Sequence, residues 1–161
     1  MVKQYIFIIL SFLFSTTSVV AQEEESDEEL MSQVSIDMKF DKTLYSKNER
    51  NVYFSEIPKA VLMAVEVSQK YEEMKVELEN DAPNEELKQV KKGEYIENGE
   101  KIIFFTGVMT DDNGKEVFME FLVKKASEQS CIMVTSLYEL NAKDKFSKEA
   151  RKAILSAKIS K

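Results

Sequence analysis

The chain has 161 residues, of which 43% are hydrophobic and 32% are charged, and its formal net charge is −7. This hydrophobic fraction is enough for a packed core, and the length suits one domain or a domain with a tail. The absence of histidine from the sequence excludes Ser-His-Asp and Cys-His catalysis and imidazole metal sites, and the sequence contains no glycine-rich phosphate-binding motif.

The first 21 residues predict a signal peptide. Lys3 is followed by a nearly unbroken apolar run over residues 6–14, and small residues precede a cleavage position after Ala21. An uncleaved membrane anchor is the alternative, but the apolar run is shorter than the roughly 20 residues that cross a bilayer. No cysteine lies near the cleavage position, so we expect an exported protein, periplasmic or extracellular, that is not a lipoprotein.

Residues 22–33 form a strongly acidic segment. Six acidic residues lie between Glu23 and Glu29. Because like charges repel one another and gain little by packing, this segment is predicted to be a disordered tail, with a single domain over residues 34–161. A weak calcium-binding or partner-binding tail is the alternative interpretation.

The first part of the predicted domain has the pattern of strands followed by a helix. Residues 36–40 and 51–57 resemble half-buried strands, and the apolar run 60–67 predicts a buried strand. A helix is then expected, with Ser68 as its N-cap. Its apolar stripe consists of Val67, Tyr71, Met74 and Leu78.

The second part predicts antiparallel strands joined by turns. The predicted strands cover residues 94–97, 101–109, 116–124 and 131–137. Asn98-Gly99 favours a type I′ hairpin turn, since both residues tolerate a positive φ. Residues 111–114 predict a second turn rather than a calcium loop, because the alternating acidic ligands of such a loop are missing. Cys131, the single cysteine, is expected to be a buried, unreactive thiol, with an intermolecular disulfide as the alternative.

The last element is predicted to be a basic amphipathic helix with Ser147 as its N-cap. Its apolar stripe consists of Phe146, Ala150, Ala153, Ile154 and Ala157. Strands in hairpins with segregated helices predict an α+β fold, with an antiparallel sheet on which the internal helix and the C-terminal helix pack.

This order of elements resembles the PsbP-like proteins, which include a photosystem subunit, a Ran-binding import factor and the bacterial DcrB-type exported proteins. The resemblance rests on the stretches AVLMAVEVSQKYEEMKVEL, ENGEKIIFFTG and ILSAKI, within residues 36–159. It implies an α/β/α sandwich and a non-enzymatic role in binding other proteins, and it transfers no functional residue. The tryptophan that is frequent in such proteins is absent here, and cystatin-like and NTF2-like folds are the alternatives.

The sequence therefore favours an exported binding protein with another protein as its partner. The candidate contact residues are Lys148, Arg151 and Lys152, on the predicted terminal helix. We expect no catalytic residue, metal, cofactor, nucleic acid or stable membrane insertion, and the sequence does not indicate the oligomeric state. The alternatives are a carrier for a small apolar ligand held between helix and sheet, and a hydrolase that works with carboxylates in place of histidine.

Overall fold

A computed structural model describes residues 34–80 and 87–160 of the chain. The predicted signal peptide, its cleavage position and the acidic tail lie outside the described residues and stay predictions. Two antiparallel sheets and two α-helices make up the described fold, with short 3₁₀ turns at Lys42–Leu44 and Leu140–Ala142. The α+β class is therefore confirmed.

The main sheet has seven strands in the order β2-β3-β4-β8-β7-β6-β5, and the second sheet pairs β1 with β9. The strands are β1 (Ile36–Asp37), β2 (Lys47–Glu49), β3 (Val52–Glu56), β4 (Lys59–Val67), β5 (Lys88–Glu97), β6 (Glu100–Thr110), β7 (Glu116–Lys125), β8 (Cys131–Glu139) and β9 (Lys158–Ile159). The helices are α1 (Tyr71–Asn80) and α2 (Lys143–Ser156). Strands β2 and β5 therefore form the two edges of the main sheet.

Strand β8 lies at the centre of the main sheet. Val134, for example, pairs with Ala64 of β4 on one side and with Leu122 of β7 on the other. Its residues from Cys131 to Tyr138 are all buried. A strand that is covered on both faces has apolar residues at successive positions, which is why apolar and polar residues do not alternate in this stretch of the sequence.

Helix α2 covers one face of the sheet. Its stripe Phe146, Ala150, Ala153 and Ile154 is fully buried, and the Phe146 ring stacks on Tyr138 of β8 with 5.8 Å between the centroids. The small alanines allow the helix to approach the strands closely. The predicted apolar stripe of the terminal helix is thus confirmed.

Helix α1 packs on the opposite face. Its Tyr71 hydroxyl donates to Glu94 of β5 over 3.1 Å, whereas the next residue, Tyr95, meets Arg151 of α2. Successive side chains of a strand point to opposite faces, so the two helices enclose the sheet from both sides. Tyr71, Met74 and Leu78 are buried as the sequence predicts.

The beginning and end of the described fold are tied together by the small sheet. Ile36 of β1 pairs with Ile159 of β9, and the Ser160 backbone N–H donates to the Ser35 carbonyl over 2.8 Å. The Asn51 side chain completes this tie, since its carbonyl accepts from Ile36 N–H over 3.0 Å and its amide donates to the Val34 carbonyl over 2.8 Å.

Several predicted boundaries are wrong. Val67 and Ser68 do not open a helix: Val67 pairs with Cys131 at the end of β4, and α1 begins at Tyr71. Ser147 is not an N-cap, because α2 already begins at Lys143 after a 3₁₀ turn. The strand predicted at 36–40 stops at Asp37, and β5 begins at Lys88, six residues before the predicted start.

The predicted turns are confirmed. Asn98 and Gly99 have φ values of 53° and 82°, the positive values that a type I′ turn requires. At the second turn, the Asp111 carboxylate accepts hydrogen bonds from the backbone N–H groups of Asn113 and Lys115, over 3.0 and 2.8 Å. These bonds lower the pKa of Asp111, and the bond from the Lys115 N–H has the largest effect.

Candidate functional site

The solvent face of α2 carries a group of lysines, and we call Lys145, Lys148 and Lys152 the lysine face. Each of the three residues is exposed, and they lie three and four positions apart, a spacing that places side chains on one side of a helix. Of the three, Lys152 alone forms an ion pair with another described residue, Glu149, at 2.7 Å. The lysine face thus retains positive charge.

Two acids lie near the lysine face: the exposed Asp41, which interacts with the charges of Lys152 and Lys145, and Glu149, which is held by the fold. Glu149 is 5% exposed, and besides Lys152 it binds the backbone N–H of Asp41 over 2.8 Å. Burial raises the pKa of Glu149, but the hydrogen bonds from Lys152 and Asp41 outweigh it and leave the pKa below its ordinary value. Glu149 therefore stays ionised and anchors the loop before β2 to the helix.

Arg151, which the sequence groups with Lys148 and Lys152, has a different environment. Its guanidinium pairs with Glu97 of β5 and lies over the Tyr95 ring, 4.8 Å from the centroid. Hydrogen bonding to Glu97 raises its pKa. Arg151 therefore joins α2 to the edge strand β5, on the flank of the helix rather than on the lysine face.

A buried carboxylate lies beneath α2. Glu120 of β7 is 8% exposed and accepts hydrogen bonds from the Tyr138 hydroxyl over 3.1 Å and the Ser147 hydroxyl over 3.2 Å. Burial raises the pKa of Glu120, against the opposing effect of these two bonds and of the Lys143 and Arg151 charges. Its position inside the apolar stretch EVFMEFLVK is the sequence signal that could have identified it.

The Glu120 cluster is a structural network rather than an open catalytic cleft. One carboxylate oxygen is bonded to Tyr138 and the other to Ser147, so both oxygens have a partner within the fold. Lys143 covers the adjoining surface, with its ammonium 4.1 Å from the centroid of the Phe118 ring. The arrangement holds α2 in register with β7 and β8.

A surface groove with a volume of about 770 Å³ lies elsewhere, between the β6–β7 turn and the end of β8. Its polar lining includes the ion pair between Lys115 and Glu139, whose charged atoms are 3.0 Å apart. Thr110, Glu116 and Leu140 also line it. The groove lies away from Lys148, Arg151 and Lys152.

Three further properties bear on function. Over residues 34–80 and 87–160, acidic and cysteine side chains form no cluster suited to a metal ion. In the same part of the chain, neither helix has the length and apolar character needed to cross a bilayer. Cys131 is fully buried, as predicted, and burial raises the pKa of its thiol to about 11.

No family model matches the chain, and no curated protein matches it. A solved structure does match. The chain shares its fold with LpqN of Mycobacterium tuberculosis, a protein involved in cell envelope biogenesis. The two structures superpose with a TM-score of 0.51 at 11% sequence identity, over 81% of this chain and 86% of LpqN. At this identity the similarity establishes a shared fold.

Proposed function

We propose that this protein is an exported, non-enzymatic binding protein of the cell envelope whose lysine face binds an acidic segment of another protein. The observation that carries the proposal is the positive charge of Lys145, Lys148 and Lys152 along the exposed side of α2. A patch of one charge attracts a partner of the opposite charge and speeds their encounter.

Three other findings support this role. The sequence predicts a signal peptide over residues 1–21, and the fold is shared with a protein involved in cell envelope biogenesis. The space between α2 and the sheet is filled by side chains such as Phe146 and Ile154, both fully buried, so no observation favours the apolar-ligand carrier. We retain the PsbP-like assignment as a proposal that rests on the order of the elements.

The structure changes which residues should be tested. Lys148 and Lys152 stay in the proposed contact, Lys145 joins them, and Arg151 takes the role of an internal tie to Glu97. Reversal of the Arg151 charge would place two acids side by side and disturb the fold. A variant that includes it would not separate binding from stability.

The test uses a ten-residue polyglutamate peptide as the acidic probe, with binding followed by NMR chemical-shift changes on the exported protein. We expect the shifts to centre on the lysine face, and the double variant Lys145→Glu, Lys148→Glu to weaken binding at least about tenfold with little change in Tm, because it leaves the Lys152–Glu149 ion pair in place. The matched control reverses two exposed lysines elsewhere, Lys59 and Lys101.

Equal loss of binding in the lysine-face variant and in the control would show that net charge alone governs the interaction, and would overturn the proposal. Shifts centred on another surface would overturn it as well. Because binding of such peptides depends on ionic strength, all titrations are compared at one salt concentration near 0.15 M, where the Debye length is about 8 Å.

A further inference from the structure

The sequence contains two Asn-Gly pairs, and the structure places both in turns between strands. Asn98-Gly99 joins β5 to β6, and Asn113-Gly114 lies between β6 and β7. All four residues are exposed. Asparagine loses its side-chain amide most readily before glycine, because glycine has no side chain to shield its backbone nitrogen. The two turns therefore present the same reactive pair in different surroundings.

The loss of the amide is a reaction within the chain. Hydroxide removes the proton of the glycine N–H, and this nitrogen attacks Cγ of the preceding asparagine. A bond forms between the nitrogen and Cγ, the bond between Cγ and Nδ2 breaks, and ammonia leaves with a proton from water. Water then opens the resulting succinimide at either of its carbonyls, which yields aspartate or isoaspartate.

In the second turn the attacking nitrogen is bound. The Gly114 N–H donates to the Asp111 carbonyl over 2.9 Å. The Asp111 carboxylate accepts from the N–H groups on either side of it, those of Asn113 and Lys115, over 3.0 and 2.8 Å. The reaction would have to break the Gly114 bond and create a negative nitrogen close to a carboxylate, and like charges repel each other.

The first turn lacks these constraints. Within the part of the chain that the structure describes, no group accepts a hydrogen bond from the Gly99 N–H, and none binds the Asn98 side chain. The hairpin is closed by the pairing of Glu97 with Glu100, so the peptide between Asn98 and Gly99 lies outside the ladder. The Gly99 nitrogen is therefore exposed to hydroxide and has no bond to break.

We propose that Asn98 is a site of spontaneous deamidation in the folded protein, and that Asp111 protects Asn113 from the same reaction. This modification does not depend on the function proposed above. Its two products differ in their effect on the hairpin. Asp-Gly suits a type I′ turn as Asn-Gly does, so aspartate adds a negative charge and keeps the turn, whereas isoaspartate adds a carbon atom to the main chain of a two-residue turn and disturbs it.

The experiment incubates the exported wild-type protein in a mildly alkaline buffer below its Tm and follows both pairs by peptide mass spectrometry. Digestion at acidic pH prevents further reaction during sample preparation, and fragmentation distinguishes asparagine, aspartate and isoaspartate at each position. We expect Asn98 to react at least about tenfold faster than Asn113, because only the second site must give up hydrogen bonds.

The unfolded chain supplies a control within the same sequence. In denaturant the two pairs should react at similar rates, because the bonds to Asp111 are then lost. In the folded protein, Asp111→Ala should accelerate the reaction of Asn113 at least about fivefold and leave that of Asn98 unchanged. Asp112→Ala removes the same charge from the neighbouring exposed position and should leave Asn113 slow. Circular dichroism checks that both variants fold.

The comparison of the two sites in the wild-type chain decides the proposal even if Asp111→Ala does not fold. Equal rates at Asn98 and Asn113 in the folded protein, or a faster reaction at Asn113, would overturn it. An Asn98 that reacts only after unfolding would overturn it as well. A folded Asp111→Ala variant in which Asn113 stays as slow as in wild type would refute the protective role of Asp111.

Discussion

Ser147 of α2 donates a hydrogen bond to the buried carboxylate of Glu120 on β7, over 3.2 Å. The bond joins residues 27 positions apart in the chain and fixes the helix over the sheet. It also explains why a serine that looks like an N-cap in the sequence lies inside the helix: its hydroxyl has a partner on the sheet.

The Glu120→Gln substitution should make the protein more stable at neutral pH relative to wild type. Burial raises the pKa of Glu120 above its ordinary value of 4.5, so at pH values between the unfolded-state and the folded-state pKa the folded state holds a proton that the unfolded chain has released. Its contribution to stability is therefore present below pH 4.5 and is lost as the pH rises through the folded-state pKa. Glutamine does not titrate.

The measurement is Tm as a function of pH between about 4 and 7 for wild type and Glu120→Gln, with the exposed Glu116→Gln on the same strand as the control. The Tm difference in favour of Glu120→Gln should grow with pH. A difference that is constant across this range would show that Glu120 titrates alike in the folded and unfolded states.

The Phe146→Ala substitution should cost about 3–5 kcal/mol of unfolding free energy, as for other fully buried phenylalanines. The ring is 0% exposed and contacts Tyr138 and Tyr45, at centroid distances of 5.8 and 5.7 Å. Urea unfolding measures the change. Val76→Ala, on the exposed side of α1, is the control and should change stability by less than about 0.5 kcal/mol. Equal effects of the two substitutions would contradict the packing of α2 on the sheet.

The Asn51→Ala substitution should cost about 1–3 kcal/mol, because it removes two side-chain hydrogen bonds to the backbone and deprives the buried Ile36 N–H of its acceptor. Both polar groups of Asn51 hold β1, through Ile36 N–H and the Val34 carbonyl. Hydrogen exchange of the Ile36 amide should accelerate strongly, while the exposed Asn48→Ala leaves it unchanged. An Ile36 amide that stays protected in Asn51→Ala would mean that the β1–β9 pairing holds the segment without Asn51.

Cys131 should not react with a thiol reagent at pH 8 in the folded protein. Burial raises the pKa of its thiol to about 11, although the Lys125 charge opposes this, and the side chain is 0% exposed. Little thiolate is therefore present, and the reagent has no access to it. Spectrophotometric titration of the thiol tests this, and full reaction should appear in denaturant.

A positive control for the thiol measurement is the double substitution Cys131→Ser, Gln129→Cys, which places a cysteine in the exposed β7–β8 turn. Its thiol should react within minutes. Rapid stoichiometric reaction of wild-type Cys131 under native conditions would contradict the burial of β8, and would make the intermolecular disulfide feasible.

Much of the fold could be predicted because its signals are local. Asn98-Gly99 specifies its turn through the φ values that these residues tolerate, and Phe146, Ala150 and Ile154 reveal the buried side of α2 through helical spacing. The prediction placed Val67 in the helix stripe as well as in the strand, because an apolar residue between a strand and a helix fits the pattern of both. Pairing with Cys131 decides for the strand.

The candidate site could be predicted only in part. The sequence shows that the terminal helix is basic, but not which of its cations have partners. Arg151 and Glu97 are 54 residues apart, and nothing between them indicates that they meet. The buried position of Glu120 was not predicted for the same reason, since its partners Tyr138 and Ser147 belong to other elements of the fold.

The sequence by itself determined the α+β class, most of the strands, the two apolar helix stripes and the burial of Cys131, because periodicity, turn chemistry and hydrophobicity act over a few neighbouring residues. The tertiary structure decided the placement of β8 between β4 and β7, the tie of β1 to β9, and the separation of Arg151 from the lysine face. These depend on contacts between distant segments, which form only when the whole chain buries its apolar surface together.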